Sequence, residues 1–381
     1  RYSSMNRIIS IDVFRGVTMF LMLWVNDFWT LNSIPKWLKH AVSGEDYLGF
    51  SDLIFPWFLF AIGLSIPFAF ESRLLKGENS FTIGKHILLR TIALLVMGLF
   101  HMNMEMYNHQ LSIISKPIFV IISTLAFFMI WTDYSRLKGK NDFFYKLLPF
   151  LGVAILIIMF FIYRGQDYDG NAVGFRIHWW GILGLIGWVY NITACTYFAF
   201  KKSIITMSIA FFISMILNFM DSSDISYAIF SWQRADWIPG SGGLQALSFA
   251  GIITSLCLIK HKEDVKILYG ILSFAGLLSL LSGLFLKKYF IISKIAGTSS
   301  FILISMSTAI FLFIFLHWVV DVRKQLNWYA PISVAGTATL TCYLIPYFYY
   351  SVCTLTGFQL PMFLTTGIIG LFKSILISFL I

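Results

Sequence analysis

Three side chains in the N-terminal part of the chain have the types that acyl transfer needs. Asn26 ends one apolar run, His40 sits in the loop that follows, and Asp52 opens the next run. An imidazole takes up the proton that an attacking amine must lose, and a carboxamide N–H meets the negative charge that grows on a thioester oxygen. A carboxylate orients the imidazole or holds the ammonium of an acceptor. The imidazole has a second option, which is to carry the acyl group itself. Each residue also has an ordinary reading: an exposed loop histidine, a helix-to-helix hydrogen-bonding amide, and a carboxylate favoured at a helix N-terminus. Spacing alone does not choose between the two sets.

The elements that must position these groups are the apolar runs Val17 to Val25 and Leu53 to Leu64, each long enough with its flanks to cross a membrane. Ser51-Asp52 followed by Pro56 reads as the capped start of the second helix. Arg15 lies eleven residues before Asn26, so the two share one helix face roughly 16 Å apart. Met19 and Met22 fall on the same stripe. The stripe thus leads from a cation at one membrane surface, past two flexible thioethers, to a carboxamide near the other, and suits a long ligand. On the third run, Arg90, His101 and Glu105 repeat the spacing, as a second wall of the passage or as a salt-bridged core.

Composition sets the fold class. Of the 381 residues, 58% are hydrophobic and only 12% charged, with a mean hydropathy of +0.79, which excludes an ordinary soluble domain. We expect an all-α, polytopic transmembrane helix bundle of 10 to 12 spans, forming a single membrane domain over 1–381 with its motif-bearing core at 10–66. Twelve apolar runs centre near Phe20, Phe60, Leu95, Ser123, Ile155, Tyr190, Phe212, Ile252, Gly276, Ile310, Thr341 and Gly370. Lys and Arg crowd the gaps on one side, which predicts a cytoplasmic N-terminus, with Arg15, Arg73 and Arg90 inside and His40 and Asp52 outside. Lys287, Lys288 and Lys294 are the exception on the outer side. The net charge of +10 is spread over short loops, as membrane anchors are, so no nucleic-acid partner is expected. No Cys/His cluster, H-E-x-x-H or phosphate-cradling loop occurs, and no metal site is expected. The outer loops hold Trp37, Tyr47, Tyr168, Trp179, Trp232 and Trp237 with Asp167, Asp221 and Asp236. Aromatic faces beside carboxylates suit an amino sugar, although aromatic belts occur on any membrane protein.

The stretches S-I-D-V-F-R-G (Ser10 to Gly16), V-N (Val25, Asn26), the lone His40, S-D-L-I-F-P-W-F-L-F (Ser51 to Phe60) and G-L-S-I (Gly63 to Ile66) together resemble the transmembrane heparan-alpha-glucosaminide N-acetyltransferase family, in a bacterial branch. His178 to Gly181 and Gly297 to Ser300 extend the likeness. The resemblance implies transfer of an acetyl group from cytoplasmic acetyl-CoA to the amine of a terminal glucosamine on the far side. It implies catalysis by His40 with Asn26 as the family's helix asparagine, a homodimer, and residence in the bacterial inner membrane. The phosphates of coenzyme A then give Arg15, Arg73 and Arg90 a task, with snorkelling at the surface as the alternative. Two other readings remain: O-acetylation of a cell-envelope glycan, and a small-solute transporter whose polar stripe is the pathway and whose His40 is a gate or proton carrier.

Overall fold

The computed structural model describes residues 8–134, 142–167, 169–225 and 241–381. Among the described residues the chain is all-α apart from a two-residue strand pair, β1 (Gly165–Gln166) and β2 (Ala172–Val173). The helices are α1 (Ile9–Asn26), α2 (Phe50–Leu75), α3 (Ser80–Glu105), α4 (Lys116–Trp131), α5 (Asp142–Ile162), α6 (Ile182–Ala199) and α7 (Ile204–Ser222). They continue with α8 (Gly243–Lys260), α9 (Val265–Leu286), α10 (Ser299–His317), the short α11 (Ser333–Thr337), α12 (Thr339–Thr356) and α13 (Gly367–Leu380). Among the described residues nine helices are long and apolar enough to cross a membrane, and α4 and α13 are shorter apolar helices. This is an integral membrane protein. All twelve expected centres fall within helices. The one near Thr341 lies in α12, whose tyrosines, threonines and serine make it too polar to join the nine.

The chain groups into two compact units. The first comprises Arg1–Thr91, Trp188–Thr339 and Met362–Leu380, and the second Ile92–Gly187 with Leu340–Pro361. In the first unit α1 and α2 run antiparallel, because Trp24 meets Phe50 and Phe14 meets Phe60 at ring separations of 6.2 and 5.8 Å. α2 packs on α8 through glycines that let the backbones touch. A Cβ on Gly63 would lie 1.9 Å from the Ser248 carbonyl, and one on Gly251 would lie 2.2 Å from that of Phe60. Small residues at such crossings bring dispersion contacts that lipid cannot replace. Ser255 Oγ donates to the Leu64 carbonyl at the same seam. Ile66, Phe70, Ile83, Ile87, Tyr197, Met207 and Phe249 form the core beside it.

A buried charge in this unit needs a partner, since an isolated ion in hydrocarbon is costly. Asp27 is 2% exposed and accepts from Lys373 Nζ at 2.6 Å, with Ser374 as a second donor, so α13 is locked to the end of α1. In the second unit, His101 lies 4.0 Å from Tyr347, ring on ring. Asn103 holds the Arg176 backbone at both its N–H and its carbonyl. His101 thus packs in an aromatic core of the second unit, whereas Arg90 belongs to the first.

Because backbone atoms block both glycine sites, Gly63→Ala and Gly251→Ala each cost about 1–3 kcal/mol of stability. The measurement is the thermal midpoint of the detergent-solubilised protein, followed by size-exclusion after heating.

Candidate active site

The His40 loop is folded by the needs of one buried carboxylate. Asp52 occupies the third position of α2, and its side chain is 1% exposed. From there Oδ2 reaches back to accept from the Gly49 N–H at 3.1 Å, the carboxylate half of a capping box. The same oxygen accepts from the Ala41 N–H at 2.9 Å. Oδ1 accepts from His40 Nδ1 at 2.7 Å. Because a carboxylate only accepts, this bond puts the proton on Nδ1 and leaves Nε2 with its lone pair. The imidazole is 44% exposed, so a buried anion orients a half-exposed ring whose other nitrogen keeps its lone pair, an arrangement that general-base chemistry can use.

The loop is pinned from two further sides. Ser51 Oγ donates to the Leu38 carbonyl. Gly49 has no room for a side chain, since a Cβ there would lie 1.8 Å from the Lys39 carbonyl. Tyr47 N–H donates to the Ile292 carbonyl at 3.3 Å, and Ile292 N–H donates to Asp46 Oδ1 at 2.8 Å. The α9–α10 loop is thereby zipped onto the His40 loop. It carries Lys294, whose Nζ stands 3.1 Å from His40 Nδ1 and 3.7 Å from Asp52 Oδ1. Burial pushes the Lys294 ammonium pKa down from its ordinary value, and the Asp52 carboxylate offsets part of that shift. Sequence reading assigned Lys294 no role. Its only signal was an excess of lysine on the expected outer side.

The remaining expected residues divide. Asn26 ends α1 beside the start of α2, the same end of the helix pair as Asp52, as the Trp24–Phe50 contact requires. Its carboxamide makes no hydrogen bond to a described residue and is half-buried. Met19 and Met22 are 1% and 3% exposed and pack inside the core. The stripe expected to line a passage on α1 is instead a packing face. Tyr168, Trp232, Asp236 and Trp237 lie outside the described residues. Trp37 and Tyr47 belong to the first unit, whereas Asp167 and Trp179 belong to the second.

The three arginines do share a cavity, and its long wall is α2. Phe58, Ala61, Ile62, Ser65, Ala69 and Arg73 line it at intervals of three and four residues, so one face of α2 is its floor. Arg15, His86, Arg90, Tyr190 and Thr339 close it from α1, α3, α6 and α12. Phe14 packs on Phe60, so Arg15 enters near the middle of α2, while Arg73 stands in the last turn. The guanidiniums are therefore staggered along the groove and do not form a ring at one surface. Each is oriented by a partner: Arg15 donates to Asp12 and the Gly336 carbonyl, Arg73 pairs with Glu78 at 2.9 Å, and Arg90 lies 5.0 Å over the Tyr190 ring. Asp52 and Arg73 stand at opposite ends of one helix, roughly 31 Å apart by axial rise, which matches the thickness of a hydrocarbon core.

Against known proteins, residues 7–130 match the family model described as heparan-alpha-glucosaminide N-acetyltransferase, catalytic. Residues 7–130 are similar to this family. It is 34% identical over 107 residues to the heparan-alpha-glucosaminide N-acetyltransferase of Mus musculus, which is 27% of this chain and 15% of that protein. It is likewise 34% identical over 101 residues to that of Homo sapiens, 26% of this chain and 14% of that protein. The matched stretch is thus a small part of the curated relatives' length. It contains Arg15, Asn26, His40, Asp52, Arg73 and Arg90, but neither Lys294 nor the helices that follow α4.

Replacing Asp52 by Asn keeps the shape but leaves one oxygen where two are needed. The exchange is expected to cost about 1–3 kcal/mol, because an oxygen that keeps the Ala41 and Gly49 N–H groups leaves an amide N–H facing the His40 Nδ1–H donor. Thermal unfolding of the purified variant measures this.

Proposed function

We propose that the chain is a membrane acetyltransferase that receives acetyl-CoA in the α2 groove and passes the acetyl group, at His40, to the amine of a terminal glucosamine on the opposite side of the membrane. The observation that carries this reading is the division of labour along α2. A carboxylate-oriented imidazole stands at its N-terminal end, and a groove with three guanidiniums runs toward its C-terminal end. The likeness of residues 7–130 to the named acetyltransferases supports it.

The groove's chemistry fits the donor. Arg73 on α2, with His86 and Arg90 on α3, suits phosphate groups. Ala61, Ser65 and Ala69 follow one another at four-residue steps and leave room for an unbranched chain. Arg15 comes last, near the level expected for the thioester end. From Phe58, the inner limit of that wall, to Asp52 is roughly 9 Å by helix rise.

At the catalytic end, His40 Nε2 takes the proton from the acceptor amine as its nitrogen attacks the thioester carbonyl. Asp52 accepts the Nδ1–H bond of the resulting imidazolium. The Asn26 carboxamide, at the same end of the helix pair, suits the charge that develops on the carbonyl oxygen. The carbon–sulfur bond then breaks, and the thiolate takes the proton from the imidazolium. The excess of Lys and Arg in one set of loops puts the groove's Arg73 end in the cytoplasm and His40 outside.

The central test uses purified protein, labelled acetyl-CoA and glucosamine. His40→Ala is expected to lower transfer by about 100- to 10,000-fold while coenzyme A binding is retained. Unchanged turnover in that variant removes the reading. The double variant Arg73→Gln/Arg90→Gln is expected to weaken coenzyme A binding by at least about tenfold, as loss of charge-assisted bonds implies, with the His40 loop intact. Calorimetry of coenzyme A binding reads this. Sidedness is tested with Val42→Cys, expected to react with a membrane-impermeant maleimide added to intact cells.

A further inference from the structure

We propose that Lys294 is a positioning residue for His40: its ammonium balances the charge of Asp52 and keeps the imidazole neutral, with Nε2 available as a base. The use of this arrangement in catalysis rests on the acetyltransferase reading above, but the charge state of His40 is measurable without turnover.

The geometry leaves little choice. His40 Nδ1 lies 2.7 Å from Asp52 Oδ1 and 3.1 Å from Lys294 Nζ, and Nζ is 3.7 Å from the same Oδ1. One nitrogen cannot donate to the carboxylate and accept from the ammonium at once. While Asp52 takes the Nδ1–H bond, Lys294 faces Oδ1 as a counter-ion, and the three groups together are neutral. An imidazolium at His40 would stand 3.1 Å from a second cation. Like charges at that distance disfavour each other's charged form. Without Lys294 the carboxylate alone would hold the imidazolium.

Four of the other charges near His40 are paired. Lys36 pairs with Glu45 at 2.5 Å on the same loop, and Lys287 stands 3.7 Å from Asp46 across the two loops. Lys39, next in the chain, is exposed. Asp52 on α2 and Lys294 on the α9–α10 loop are the charged groups placed against the ring.

A dedicated scaffold presents this lysine. Gly297 has φ +60°, the left-handed region that glycine enters without strain, and its N–H donates to the Lys294 carbonyl at 3.1 Å. Asn218 Nδ2 donates to the Gly297 carbonyl at 2.8 Å. Thr298 N–H donates to the Ser293 carbonyl, while Thr298 Oγ1 accepts from Ser293 N–H. Ser300 Oγ donates to the carbonyls of Phe290 and Ile291. The Gly297-Thr298-Ser299-Ser300 motif thus builds the turn that carries Lys294 to a histidine 254 positions away.

The test follows carbethoxylation of His40 by diethyl pyrocarbonate, which requires a neutral imidazole, across pH by peptide mass spectrometry on the full-length protein. The ring is 44% exposed, so the reagent reaches it. In Lys294→Met the pH midpoint of His40 reactivity is expected to rise by about one unit, and in Lys294→Arg to stay near wild type. The acid limb of the transfer rate is expected to move with it. A purely structural lysine would lower transfer at every pH without moving the midpoint. Lys294→Gln replaces the Met variant should the latter fail to elute as a single species. An unmoved or lowered midpoint overturns the proposal. A moved midpoint in a protein that transfers no acetyl group instead overturns the acetyltransferase reading and leaves the charge assignment standing.

Discussion

A carboxylate that has lost nearly all contact with water must find its hydrogen bonds inside the protein, and Asp52 finds them by ordering everything around it. Two backbone N–H groups, from Gly49 and Ala41, and the His40 ring satisfy it. Those bonds fold the loop after α1 back onto the start of α2. The imidazole acquires its tautomer from this arrangement, because the only role Asp52 leaves to Nδ1 is donation. Lys294 completes the set from the far end of the chain.

The same helix carries the opposite chemistry at its other end. A helix N-terminus favours an anion and a C-terminus a cation, and α2 has Asp52 in its first turn and Arg73 in its last. Between them one face is small and slightly polar, with Ala61, Ser65 and Ala69 left uncovered as a groove floor. Another face is sealed against α8 by Gly63 and Gly251. One helix therefore separates a guanidinium-lined groove from a carboxylate-bonded imidazole by about the thickness of a bilayer core. Such a separation suits a reaction whose donor and acceptor lie in different compartments.

Charged pairs within the first unit fall into two kinds, and the difference bears on function. Asp27 and Lys373 saturate each other, with Ser374 and Thr30 taking the remaining positions, and both ions are deeply buried. Such a pair fixes where α13 docks. The Asp52 group differs because its third member, His40, is nearly half exposed and keeps one nitrogen unused. Buried anion, oriented ring and open nitrogen together form a site, whereas a closed ion pair forms a joint.

Much of this was legible in the residues alone. The twelve apolar runs all fall in helices, although the short α11 was not among them, and the types and neighbourhood of His40, Asn26 and Asp52 drew attention to the N-terminal end of α2. Helical periodicity also grouped Arg15 with Met19 and Met22, but it states only that residues share a face. It does not say whether that face meets a cavity or a neighbouring helix. Packing decided that the α1 stripe is core and that the groove belongs to α2, with Arg15 as the sole contribution from α1 to its lining. The division into two units and the approach of Lys294 to His40 were likewise settled by tertiary contacts. Local periodicity and capping are set by neighbours within a few residues, whereas the partner of a buried charge is chosen by whichever distant segment the fold brings within hydrogen-bonding reach.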